Sequence, residues 1–235
     1  MIKKVKIGCA SGFWGDTDIA APQLVNNGNI DYLVFDYLAE VSMSILAGSK
    51  LKNSNSGYAK DFIKHLGPLI KKIKQKNIRV ISNAGGVNLK ACRKALLEEA
   101  KKENIDLKIV IVEGDNLLNT EKDLRSNNIK EMDTKKHLPE NLLSINAYLG
   151  APGIKAALEL DADIVITGRC VDSALVLGPL MYEFGWQVDD YDLLASGSLA
   201  GHIIECGAQC TGGNFTDWET IKRFDNIGFP IIEVK

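Results

Sequence analysis

Five short, β-branched apolar runs punctuate the chain: KVKIG (4–8), DYLVFDYL (31–38), IRVISNA (78–84), KIVIVEG (108–114) and ADIVITG (162–168). Their apolar stretches are continuous rather than alternating, the pattern of strands buried on both faces of a parallel sheet. Between them the period changes. Residues 57–77 (GYAKDFIKHLGPLIKKIKQKN) and 88–104 (NLKACRKALLEEAKKEN) repeat apolar positions every three or four residues with lysines opposite, which predicts amphipathic helices. Residues 151–162 predict a shorter helix, and 171–186 a more apolar one buried on more than one side.

Strands alternating with helices, joined by right-handed crossovers, make this an α/β chain with a mainly parallel sheet and helices on both faces. An open doubly wound sheet and a β/α barrel both satisfy the order. Fewer than eight strands are visible, so the open sheet is the expected form. Residues 1–235 read as one domain, interrupted at about 118–143 by a charged, asparagine-rich, irregular stretch that is expected to be a solvated insertion or a lid.

With 46% hydrophobic residues in 235, the chain is large enough to bury a substantial core. A net charge of -2 without any long basic block gives no basis for a nucleic-acid or anionic-membrane partner, which leaves small-molecule chemistry. No run reaches the roughly 20 apolar residues of a membrane span. The opening MIKKVKIGCASGFWGD lacks the unbroken apolar core of a signal peptide, and five cysteines, an odd number, predict reduced thiols in the cytosol.

Each predicted strand is followed by glycine, acid, amide or arginine: CASGFWGD, AE, NAGGVN, EGDN and GRCVD. Ligands of such sheets gather at the carboxyl ends of the strands, so Asp16, Asp36, Asn83, Gly85, Gly86 and Arg169 are candidate substrate-binding residues. In NAGGVN, Gly85 and Gly86 allow close backbone approach and the next helix offers N–H groups to an anion; the same letters also describe a tight turn capped by Asn88. No Walker A or G-x-G-x-x-G motif is present, so no nucleotide cofactor is expected. Only five of the 28 basic residues are arginine, which singles out Arg169 in TGRCVDSA as a fork for carboxylate or phosphate. Asp172 then either orients it and acts as acid/base, or caps the next helix with Arg169 as structural partner. Asp36 and Glu40 in FDYLAE could share a proton or a metal, or be a surface and a capping acid.

The densest polar stretch is GHIIECGAQCTGGNFTDW (201–218). His202, Glu205, Cys206 and Cys210 could ligate zinc on paper, but C-x-x-x-C without a second pair is a weak metal signature and no metal is expected. A Cys206 nucleophile activated by His202 requires HIIEC to be helical. A glycine-rich loop closing on a ligand suits GAQCTGGN better, with Gly212 and Gly213 lining the site and His202 and Glu205 as acid/base pair, beside anion anchors at Arg169 and the NAGG turn.

Taken in order, ASGFWGD (10–16), DYLVFDYLAEVSMSIL (31–46), GYAKDF (57–62), SNAGGVN (82–88), INAYLGA (145–151), ADIVITGRCVDSAL (162–175), EFGW (183–186) and GHIIECGAQCTGG (201–213) resemble the acyclic terpene utilisation family, whose N-terminal region has long been catalogued as a domain of unknown function. The resemblance implies a role in cytosolic carboxylate or acyl-CoA catabolism, of the kind that supports growth on branched terpenoids. It also implies an N-terminal half, either a separate subunit or a piece of a longer chain, that works with a C-terminal-half partner in a homo- or hetero-oligomer. Cys170 stands where family members often carry an aliphatic residue, which weakens any case for it as a catalytic thiol. Two function classes follow. One is an acid/base lyase, hydratase or isomerase acting on a carboxylate or acyl-CoA; the other is a noncatalytic binding or assembly subunit.

Overall fold

A computed structural model describes residues 2–235. β1 (Val5–Cys9) leads through α1 (Ala20–Asn27) to β2 (Tyr32–Phe35), and α2 (Glu40–Lys52), α3 (Lys60–Leu66) and α4 (Ile70–Gln75) precede β3 (Arg79–Ser82). α5 (Leu89–Lys102) crosses to β4 (Ile109–Val112), and α6 (Glu121–Ser126) and α7 (Pro152–Glu159) lead to β5 (Ile164–Thr167). α8 (Ala174–Phe184), α9 (Tyr191–Ile204) and β6 (Ile231–Val234) follow. The strands lie in the order β4-β5-β3-β2-β1-β6, with β1 to β5 parallel and β6 antiparallel to β1. The sheet is open, as the strand count predicts.

Side chains alternate strictly across it. Leu33, Phe35, Val80, Ile164 and Ile166 enter one core with α1, α3, α4 and α5, whereas Tyr32, Val34, Ile81 and Val165 enter the other with α7, α8 and α9. Both faces are therefore covered, which is why the strands read as continuous apolar runs. The chain changes face after β4, because β5 must return to the gap left between β3 and β4.

Several elements differ from the sequence expectations. The single helix expected over 57–77 is broken into α3, a 3-10 turn at Gly67–Leu69 and α4, because Pro68 has no N–H to continue the ladder. The run 31–38 is strand only to Phe35; Asp36 to Leu38 turn away into the strand-end region. In the insertion, none of residues 118–143 is buried and α6 is its only α-helix, in line with a solvated segment. Among the described residues no helix is long and apolar enough to cross a membrane.

The β3–α5 turn is set by packing. A Cβ on Gly85 would come within 2.6 Å of the Thr167 carbonyl oxygen on β5, and Gly86 has a φ of 53°. Asn88 occupies the N-cap position of α5, but its amide donates to the Ser54 and Ser56 carbonyls and does not cap the helix. Gly85→Ala is therefore expected to destabilise the fold by about 1–3 kcal/mol through overpacking. Urea unfolding measures this; an unchanged midpoint would mean that Gly85 is free of the sheet and available to a ligand.

Candidate functional site

A cavity of about 340 Å³ opens at the carboxyl ends of β1, β2 and β5, lined by Phe13, Asp36, Tyr148, Arg169, Asp172 and Glu205 among others. A larger one, about 490 Å³, lies at the opposite end of the sheet around Lys74, Arg79, Asp161 and Asp163. Its charges pair with one another, Lys74 with Asp163 at 2.7 Å and Arg79 with Asp161 at 2.9 Å, and it sits at the amino ends, where such sheets do not gather ligands. The smaller cavity is the better candidate.

Three elements bring carboxylates together there. Asp36 follows β2, Asp172 lies between β5 and α8, and Glu205 stands just beyond the last turn of α9. One oxygen from each lies within 4.8 Å of the others, and among the described residues this is the one grouping of His, Cys, Asp or Glu with that convergence. Oxygen donors so placed suit a hard divalent cation, or they share a proton. Asp36 is only 5% exposed. The Asn83 side-chain N–H donates to its Oδ1 at 2.6 Å while the Asn83 Oδ1 accepts from the Tyr37 N–H at 2.8 Å, so a fully buried side chain fixes its orientation. Among the described residues no donor reaches Oδ2. Burial first, and the neighbouring Asp172 charge second, push the Asp36 carboxyl up to about 7. Burial and Asp172 raise Glu205 as well, with His202 and Arg169 pulling the other way.

Arg169, 4% exposed, is tied to protein oxygens. Its Nη1 donates to the Leu38 carbonyl at 2.6 Å, to Asp172 Oδ1 at 2.8 Å and to the Cys170 carbonyl at 3.3 Å, and Nη2 lies 3.5 Å from Glu40 Oε1. The guanidinium also stacks on the Tyr148 ring, 4.1 Å from its centroid, while the Tyr148 hydroxyl donates to Glu40. Its backbone N–H donates to Asp115 at 2.9 Å, which also accepts from Asn146. Arg169 thus holds the wall of the cavity together, a departure from the anion-anchor expectation: only Nε lacks a partner, and it is buried. The same bonds bring Glu40 to the arginine, separate from Asp36.

The cavity therefore brings together Asp36, Arg169, Asp172 and Glu205, with Asn83 directly behind. The other candidates lie elsewhere. Asp16 accepts from the Gly12 N–H at 2.9 Å and lines a separate depression with Asp61 and His65. Gly85 and Gly86 belong to the packed β3–α5 turn, and Gly212 and Gly213 to a surface turn in which the Gly213 N–H donates to Ala208. His202 is exposed on α9, which ends at Ile204, so the HIIEC segment is helical only in part. Cys206 does line the cavity, but burial and then the Glu205, Asp36 and Asp172 charges raise its thiol, the reverse of what a nucleophile needs. Glu40 and Tyr148 were not among the predicted site residues; Glu40 was visible only as one half of an acid pair, and nothing in the letters of INAYLGA marks its tyrosine as an arginine stack.

The family model described as acyclic terpene utilisation family protein AtuA matches residues 5–235. Neither the curated proteins nor the solved structures give a match.

A raised Asp36 has a consequence for stability. The folded state holds its proton up to about pH 7 whereas the unfolded chain releases it near 3.8, so the stabilisation fully present below pH 3.8 is lost as pH rises through 7. Asp36→Asn keeps an acceptor for Asn83 and removes the charge. It is expected to raise the melting temperature at pH 8 by roughly 2–8 °C, equivalent to about 1–2 kcal/mol, with the gain shrinking toward pH 5. Thermal scans across pH check this, and a gain that is constant with pH would place the Asp36 proton elsewhere.

Proposed function

The chain belongs to the acyclic terpene utilisation family, and on that footing we propose that the strand-end cluster is the site of an acid/base enzyme of acyl-CoA catabolism, a lyase, hydratase or isomerase. Membership suggests involvement in terpene utilisation; the chemistry is inferred from the site. The observation that carries it is Asp36, a nearly buried carboxyl held at about 7 and facing a cavity beside two further carboxyls. A group with that pKa accepts and returns protons at neutral pH.

Charge selects the substrate class. Asp36, Glu40, Asp172 and Glu205 face one arginine whose Nη groups are occupied by protein acceptors, so a free carboxylate entering here meets net repulsion. A thioester carbonyl is neutral. In the proposed reaction Asp36, as carboxylate, takes the proton α to that carbonyl, and Glu205, as acid, protonates a departing β-hydroxyl that leaves as water. Re-addition of water reverses both transfers, and return of the proton at a different carbon would be isomerisation. Asn83 holds Asp36 in place, and burial first, with the Asp172 charge second, raises it. The proposed setting is the cytosol, in keeping with five unpaired cysteines.

A second reading, an assembly subunit, is favoured by exposed apolar side chains close in sequence to the cluster residues: Val41, Val171, Leu199 and Ile203 are 71%, 44%, 62% and 52% exposed. A C-terminal-half partner or a second copy seated on them would exclude water from the same cavity.

The test is exchange of the α-protons of acyl-CoA thioesters into D₂O, followed by NMR with the purified chain. Asp36→Asn, expected to fold more stably than the parent, should lower the exchange rate by about 10²-fold or more, within the span of general acid/base catalysis. The parent rate should rise with pH through about 7, where Asp36 ionises. Exchange equal in the parent and the variant would remove Asp36 from the chemistry. No exchange by the parent, alone or with its partner half, would leave the assembly reading.

A further inference from the structure

Beside the carboxylate cluster, the C-terminal half of α2 and the loops at 116–118 and 143–146 enclose a second cavity of about 380 Å³. That volume is in the lower part of the range of roughly 300–1,000 Å³ that small-molecule pockets occupy. Its character is different. Ala47, Leu51, Val87, Leu118 and Leu143 give it a mainly apolar wall, with Lys50 and a few amide and hydroxyl groups at the rim. Leu51 is 69% exposed and Leu143 60% exposed, so apolar side chains that belong to neither core lie open here.

The two cavities are bordered by different residues of the same two segments, α2 with its N-cap and the stretch 143–148. Glu40 and Tyr148 border the carboxylate cluster, while Ala47 and Asn146 border the apolar cavity. Tyr148 is bonded to Glu40 at the start of α2 and stacked on Arg169, and Asn146 is bonded to Asp115, which holds the Arg169 backbone. The segment 143–148 therefore runs beside α2, with its later residues at the acidic end and its earlier ones at the apolar end. From Glu40 to Ala47 the helix rises about 10 Å, a distance that an aliphatic chain of medium length spans.

We propose that this cavity receives the aliphatic tail of an acyl thioester whose carbonyl lies at Asp36, and that Leu51 and Leu143 select for chain length. The proposal rests on the acyl-thioester reading of the carboxylate cluster and adds where the tail goes. An apolar tail is the occupant that fits: it continues from a neutral carbonyl, needs no charge partner, and covers the surface that Leu51, Leu118 and Leu143 leave exposed. Neither leucine lines the carboxylate cavity, so their substitution should change affinity for the tail and not the chemistry.

Isothermal titration of the full chain with butyryl-CoA and decanoyl-CoA tests this. Decanoyl-CoA should bind more tightly, by about two- to fourfold for each added methylene that is buried. The double variant Leu51→Ser/Leu143→Ser should weaken decanoyl-CoA at least tenfold while leaving butyryl-CoA within about twofold and the melting temperature unchanged. Equal binding of the two thioesters by the parent, or equal loss of both in the variant, overturns the tail site and leaves the carboxylate-cluster reading standing. If neither thioester binds the parent, the cluster reading fails, and the tail site with it.

Discussion

The Arg169 guanidinium is the tie on which the strand-end architecture depends. It joins the turn after β2 through the Leu38 carbonyl, the start of α8 through Asp172, the first turn of α2 through Glu40, and the 143–149 segment through its stack on Tyr148. A buried cation with one face on an aromatic ring and its edge on oxygens is strongly destabilised when one of those partners is removed. The arrangement fixes where the acids stand. With Asp172 held at the arginine, Asp36, buried, and Glu205, half-buried, are left close to a negative charge, and the upward shift of both follows from that placement.

Much of the fold was legible because both faces of the sheet are buried. Five parallel strands each left an apolar run, and α5 and α7 left clear periodic faces. β6 was not read: Ile231 and Glu233 face outward on an edge, and its half-exposed alternation resembles a loop. α2 was missed because the exposed Val41, Ile45 and Leu51 blur its amphipathic pattern. The break at Pro68 could have been read from the proline itself, and the unbroken lysine pattern on either side concealed it.

The site was legible only residue by residue. Rarity of arginine pointed to Arg169, its place after β5 put it at the right end of the sheet, and Asp172 three residues on was legible as its partner, but its distant acceptors are a backbone carbonyl and a glutamate about 130 residues away in sequence, which no spacing rule reaches. Asp36, Asp172 and Glu205 were each visible as an acid near a strand or helix end. Their convergence depends on the strand order, β5 beside β3, and on α9 folding back along α8 and over β6, and that arrangement is a property of the whole sheet. The density of GHIIECGAQCTGG misled for the same reason: of its polar side chains, Glu205 and Cys206 reach the cavity.

The antiparallel pairing of β6 with β1 has a further consequence, for biosynthesis. Of the six strands β1 is made first, and the strand that covers its outer edge is made only after all five parallel strands. Throughout that interval β1 presents unpaired backbone to any strand it meets, the situation that leads to misassociation. Lys3, Lys4 and Lys6 flank or punctuate that edge. During synthesis their charges repel casual pairing, and once β6 arrives Lys4 and Lys6 pair with Glu233, at 3.2 and 3.7 Å, so the same residues that keep strangers away help to seat the native partner.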